Sequence, residues 1–170
     1  MIRKIVFGAL VLLLFSVGGW LGYSQYGQSR FAPSASFQLV DGRRLTLAEL
    51  RGQPVLITFW ATSCRSCVEK IPALIELYRT LSPRGLEIIA VAMAYDPPNR
   101  VMMLRQQLRI PYPIALDLDG SRARLFDDVS LTPTTVLIDP EGRIVAYRLG
   151  ELDIAALRKQ LEPMLTAATG

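Results

Sequence analysis

Cys64 and Cys67 are the only cysteines of this 170-residue chain, and the chain contains no histidine. Without histidine there is no Ser-His-Asp or Cys-His nucleophile, and the commonest metal ligand is missing. One C-x-x-C pair is half of a four-thiolate zinc site, and c-type haem attachment needs a histidine at position 68, where valine stands. Two neighbouring thiols can by themselves exchange disulfides: one thiolate attacks, and the other resolves the mixed disulfide. As a staple the pair would be weak, since a ring of about four residues contributes roughly 2 kcal/mol against roughly 4.7 for a loop of about 100.

The flanking elements separate the two sulfurs. Val55–Trp60 and Leu86–Met93 are nearly continuous apolar runs of strand length, as expected in the centre of a sheet covered on both faces. Between them Cys64, Cys67, Val68, Ile71, Leu74, Ile75, Tyr78 and Leu81 recur at spacings of three and four, one face of an amphipathic helix. Strand, helix, strand makes a parallel crossover unit. Cys64 then stands at the exposed helix start, where unpaired backbone N–H groups favour a thiolate and Arg65 adds positive charge. Cys67, one turn in, is the expected shielded, resolving thiol.

Around this unit, Phe37–Val40 and Arg44–Thr46 flank the Asp41-Gly42 turn as a hairpin. Asp96-Pro97-Pro98 opens a second helix carrying Val101, Leu104 and Leu108. A short strand at Ile114–Leu116 and a helix through Ala123–Phe126 follow. Thr135–Ile138 and Ile144–Leu149 flank Asp139-Pro140-Glu141-Gly142 as an antiparallel hairpin, and Ile154, Leu157, Leu161 and Leu165 mark a closing helix. The sum is a mixed α/β sandwich with a hairpin at one edge.

The formal charge of +4 is concentrated at the front. Arg3, Lys4 and Arg30 leave sixteen basic against fifteen acidic residues in 31–170, which removes electrostatic support for nucleic-acid binding. Ile5–Tyr23 runs nineteen residues without a charge, about 28 Å of helix, close to a bilayer core. With Arg3 and Lys4 in front, the positive-inside bias puts the N-terminus in the cytosol and the body outside. Residues 1–23 are thus expected to be a single-pass anchor in the cytoplasmic (inner) membrane, 24–36 a linker and 37–166 an extracytoplasmic domain, periplasmic in a Gram-negative source. The alternative is a cleaved signal peptide, with Ile5–Phe15 as its apolar core and Ser16-Val17-Gly18 at the cleavage region.

Trp60-Ala61-Thr62-Ser63-Cys64-Arg65-Ser66-Cys67, Pro72, Thr132-Pro133-Thr134-Thr135 and the Ile138–Val145 stretch together resemble the thioredoxin-like family, and within it the membrane-anchored TlpA/ResA group. The resemblance spans roughly residues 36–166. It implies a thioredoxin-like sandwich and a thiol:disulfide oxidoreductase with no cofactor beyond the redox-active Cys64–Cys67 disulfide. It implies that Thr132-Pro133 is a cis peptide facing the cysteines and binding extended substrate, with Trp60 as a further substrate-side residue. An aromatic ending a central strand can equally be core. The implied partners are protein disulfides, as in cytochrome c or copper-site assembly, and a DsbD- or CcdA-type transmembrane electron donor. The implied direction is reducing; the alternatives are an oxidant or isomerase of the same fold, or a non-catalytic module carrying Cu(I) on the two thiolates.

Departures from the family pattern concern the rim and the proton. Ser63 replaces a tryptophan and Ser66 a frequent proline. Thr58 stands where plain thioredoxin has a buried aspartate, and Lys70 where ResA-like proteins have a glutamate. Helical geometry turns Glu69 toward solvent and leaves Lys70 the charged group nearest the sulfurs. Its ammonium is expected to lower the pKa of the resolving thiol or to relay its proton, unless it is a lysine snorkelling at the stripe's edge.

Overall fold

The structure, a computed structural model, describes residues 30–167. The expected anchor, Ile5–Tyr23, lies outside the described residues; among those described, no helix is long and apolar enough to cross a membrane.

The apolar run Val55–Trp60 forms β3, buried at all six positions. It pairs in parallel with β4 (Glu87–Ala92), which pairs in parallel with β5 (Ile114–Leu116). On its other side β3 pairs antiparallel with β6 (Thr134–Ile138), and β6 with β7 (Ile144–Leu149). The order β5-β4-β3-β6-β7 is a five-stranded mixed sheet. The remaining strands, β1 (Ser36–Gln38) and β2 (Arg44–Thr46), form a separate hairpin. Gly42 takes φ of 87° in its turn, a left-handed conformation that glycine adopts without steric cost.

The helices are α1 (Arg65–Leu81), α2 (Pro98–Leu108), α3 (Ser121–Leu125) and α4 (Ile154–Ala167). Alternation along β3 divides the core in two. Leu56 and Trp60 face Cys67, Ile71 and Leu74 of α1 and Leu157 and Leu161 of α4. Val55, Ile57 and Phe59 face the other way, against Phe37, Phe126 and Val129. Helices and hairpin thus cover both sheet faces, as the continuous apolar strands required.

Several details differ from the sequence expectations; the helix expected through Ala123–Phe126, for example, runs Ser121–Leu125. The expected linker 24–36 ends sooner, because residues 31–36 lie on the body: Ala32 N–H bonds the Gly142 carbonyl, Ala35 is buried, and Leu47 N–H bonds the Ala35 carbonyl. The strand expected at Phe37–Val40 is shorter as β1, because Leu39 and Val40 leave it to meet β5, Val40 N–H bonding the Ile114 carbonyl at 2.9 Å. The helical stripe of α1 also includes Leu77, fully buried.

Candidate active site

Cys64 is the N-cap of α1. Its extended backbone (φ −85°, ψ 103°) ends the loop from β3, and its Sγ accepts the Cys67 N–H at 3.2 Å. The cap satisfies one donor of the helix start with sulfur, where serine or aspartate usually supplies oxygen. Cys64 and Cys67 are joined in a disulfide, with their Cα atoms 5.3 Å apart. Cys64 is half-buried, whereas Cys67 is only 4% exposed, on the face of α1 against the sheet. A reactant from solvent therefore meets the Cys64 sulfur first.

Thr132-Pro133 is a cis peptide at the start of β6. Pro133 lines a small cavity, about 20 Å³, together with Thr58, Trp60, Cys67, Lys70 and Thr135. The fold thus brings together four sequence-selected residues, Trp60, Cys67, Lys70 and Pro133. Thr132 stands beside them, half-buried, its Oγ1 3.4 Å from the Tyr95 hydroxyl. Trp60 lies beneath the surface rather than on a substrate-facing rim, because it is only 4% exposed. Lys70 is half-buried on the cavity wall, and Glu69 is exposed.

Arg65 is placed differently from expectation. Its guanidinium bonds Glu69 Oε1 at 2.7 Å across one helical turn, and its side chain is 92% exposed. The charge expected beside Cys64 is thus paired with a carboxylate and screened by water.

Four residues contribute to the site in roles absent from the sequence expectations. Asp96 is buried and accepts both the Thr62 N–H at 2.7 Å and the Thr62 hydroxyl at 2.6 Å, tying the loop before Cys64 to the loop after β4. The sequence suggested only that Asp96 opens α2, yet the cap of that helix is Pro97, without a side-chain bond. Tyr95 and Leu131, both largely exposed, put apolar surface next to Thr132. Thr135 faces the cavity; the period-two alternation of β6 was the signal available for it. A larger cleft, about 410 Å³, lies among residues 32–36, Thr46, Arg51 and Asp139 and contains neither cysteine.

Residues 29–147, spanning both cysteines and the cis proline, match the AhpC/TSA family. The chain belongs to that family. Among similar proteins, the thiol-disulfide oxidoreductase ResA of Bacillus anthracis is 29% identical over 178 residues, covering 98% of each chain. ResA of Bacillus subtilis strain 168 is 28% identical over 151 residues, covering 85% of this chain and 83% of the relative. A solution structure from Neisseria meningitidis, described as a thioredoxin candidate, superposes with a TM-score of 0.75 at 28% identity, covering 82% of this chain and 92% of its own. A thioredoxin-family thiol:disulfide interchange protein from Chlorobium tepidum TLS gives 0.74 at 24% identity over 82% and 98%, a likeness of fold alone. This AhpC/TSA family member has the thioredoxin-like α/β fold, and its sequence-expected class, thiol:disulfide oxidoreductase, is the one its ResA relatives bear.

Proposed function

We infer that this thiol:disulfide oxidoreductase is a membrane-tethered reductant of protein disulfides outside the cytosol, working through Cys64 and Cys67 with no other cofactor. The observation that carries the reading is the asymmetry of the pair: Cys64 is reachable from solvent at a helix start, and Cys67 is buried behind it.

In the reduced enzyme the Cys64 thiolate attacks a substrate disulfide. A Cys64–substrate bond forms, and the first substrate sulfur leaves as a thiolate and takes a proton. Cys67 then gives up its proton and attacks Cys64 Sγ; the Cys64–Cys67 bond forms, and the second substrate sulfur leaves with the electron pair. Two electrons have passed to the substrate, and a transmembrane donor of the DsbD or CcdA type restores them to the pair. An extended substrate segment lies along Thr132 and Pro133, flanked by Tyr95 and Leu131. Lys70, on the wall beside Cys67, favours the resolving thiolate through its charge. Oxidised proteins of cytochrome c or copper-site assembly fit this role as substrates.

Replacing Cys67 with Ser removes the resolving thiol, so mixed disulfides through Cys64 accumulate and can be recovered from the intact organism. Failure to trap any protein, with tight Cu(I) binding by the unaltered chain, would overturn the reading in favour of a metal-carrying module. Direction is read from the resting state of the pair in cells: a reductant is held reduced by its donor, and a pair found oxidised reverses the assignment. Retention of the catalytic domain in alkali-washed membranes tests the tether.

A further inference from the structure

Two buried side-chain polar atoms, Trp60 Nε1 and Thr135 Oγ1, have no hydrogen-bond partner among the described residues. Trp60 is 4% and Thr135 3% exposed, and both line the cavity of about 20 Å³ against Cys67. The coincidence is informative, because buried N–H and hydroxyl groups are rarely left unpaired and are often satisfied by internal water. One water fits within about 10–15 Å³ when it has two or more polar partners. This cavity has the room, and its lining includes Trp60 at the end of β3 and Thr135 of β6, the two residues whose polar atoms are buried without a partner, together with Cys67 of α1.

We propose that the cavity is a one-water site, held by Trp60 and Thr135, that solvates the Cys67 sulfur and takes up its proton in the resolving step. The inference rests on disulfide exchange through Cys64 and Cys67 being the activity. The water accepts the Trp60 N–H and shares a hydrogen bond with Thr135 Oγ1, which leaves it a hydrogen for the Cys67 thiolate. When the Cys67 S–H bond breaks, the proton passes to this water and on to solvent. The sulfur's electron pair forms the bond to Cys64 Sγ, the Cys64–substrate bond breaks, and the departing substrate thiolate takes a proton from solvent. No additional oxidant or reductant enters. Trp60 and Thr135 act through the water and are positioning residues.

The titratable groups facing the cavity are Lys70 from α1 and Tyr112 from the segment before β5. Burial pushes the Tyr112 phenol up, so it stays neutral and offers no base. Lys70 supplies the charge on the wall, and the water supplies the hydrogen bond.

The test uses the full-length chain, reduced, in stopped-flow reaction with an aromatic disulfide that releases a coloured thiol. The first phase reports attack by Cys64 and the second reports resolution by Cys67; Cys67→Ser identifies the second by abolishing it. In Thr135→Val the second phase is expected to slow about tenfold at neutral pH and its pH profile to move about one unit alkaline. Thr135→Ser, which keeps the hydroxyl, restores both. Trp60→Phe removes the N–H, moves the profile the same way, and carries the test if Thr135→Val does not fold. A second-phase profile unchanged by loss of the hydroxyl or of the indole N–H overturns the proposal. So does a dry cavity in a high-resolution crystal structure of the unaltered chain, where a water within reach of both Nε1 and Oγ1 is expected. Absence of any first phase in the unaltered chain instead sinks the exchange reading itself.

Discussion

Thr62 donates its backbone N–H and its hydroxyl to the Asp96 carboxylate, so the approach to Cys64 is anchored by a residue 34 positions away. Hydrogen bonds to a charged acceptor each contribute about 1.5–3 kcal/mol, and donors left without one lose more than the bond. Asp96→Ala is expected to lower stability by about 2–3 kcal/mol in urea denaturation and to slow attack by Cys64, because the cap then sits on a looser loop. Asp96→Asn, which keeps an acceptor, should recover much of both. Lys70 calls for a separate test: Lys70→Met keeps the aliphatic stem and removes the charge, and its resolving step should need a higher pH than the unaltered chain. Unchanged thiol titration and exchange rates in Lys70→Met would show a lysine merely lying along the helix. Residue chemistry was legible where it was local, since two sulfurs three positions apart at a strand-to-helix junction name their own reaction. Asp96 and Thr135 act only through partners that folding brings to them, and the Arg65 charge was misplaced because its pairing with Glu69 competes with any role at the sulfur.

At the scale of elements, β4 and α1 meet at a carboxylate that the fold disfavours. Burial pushes Glu87 above its ordinary value of 4.5, partly offset by bonds from the Ile88 N–H and Tyr78 and by the charge of Arg43. The same burial, helped by Glu87, pushes Tyr78 up to about 12. A carboxyl whose pKa is raised on folding binds its proton more tightly in the native state. Its contribution to stability is complete below the unfolded value and is lost as pH rises through the folded one. Glu87→Gln should therefore raise the melting temperature at pH 7 and leave it unchanged near pH 3, below the unfolded value. The gain should be at most about 1 kcal/mol, because the side chain is only partly buried and solvent screens it. An equal gain at both pH values would assign the effect to helix or strand preference instead. The central strands and the long helix after the cysteines were legible because β3 and β4 are nearly continuous apolar runs and α1 carries a period-3.6 stripe, each over six or more residues. The segment 31–36 was not, since its order comes from bonds to Gly142 and Leu47 that no local pattern announces. Similarly, α3 spans only five residues, and its N-terminal amides are held by the buried Asp117, whose oxygens accept the Arg122 and Ala123 N–H groups.

Across the body as a whole, one sheet separates two apolar clusters, and the active site draws on one of them. Leu161 of α4 is fully buried in the cluster that holds Cys67, Trp60 and Ile71, while Phe126 is fully buried in the other, against Phe37 and Phe59. Leu161→Ala should cost about 2–5 kcal/mol and Phe126→Ala about 3–5, since each removes buried surface and leaves a cavity that packed neighbours fill only in part. The two sites share no contact cluster, so their costs should add within about 0.5 kcal/mol. A domain of this size has about 5–15 kcal/mol to lose, so the double variant is expected to stand at or beyond the limit of folding at 25 °C. The measurement is chemical denaturation followed by circular dichroism and by tryptophan fluorescence. Because the strands of one sheet contribute side chains to both faces, each single variant should unfold in one transition seen identically by both probes. Separate transitions, or a double variant no less stable than either single, would show that the two faces melt independently. The cluster under Cys67 would then hold the disulfide in place without help from the far side of the sheet. Coupled loss predicts the opposite: Phe126→Ala, in the cluster that does not contain Cys67, lowers the denaturation midpoint of both probes together.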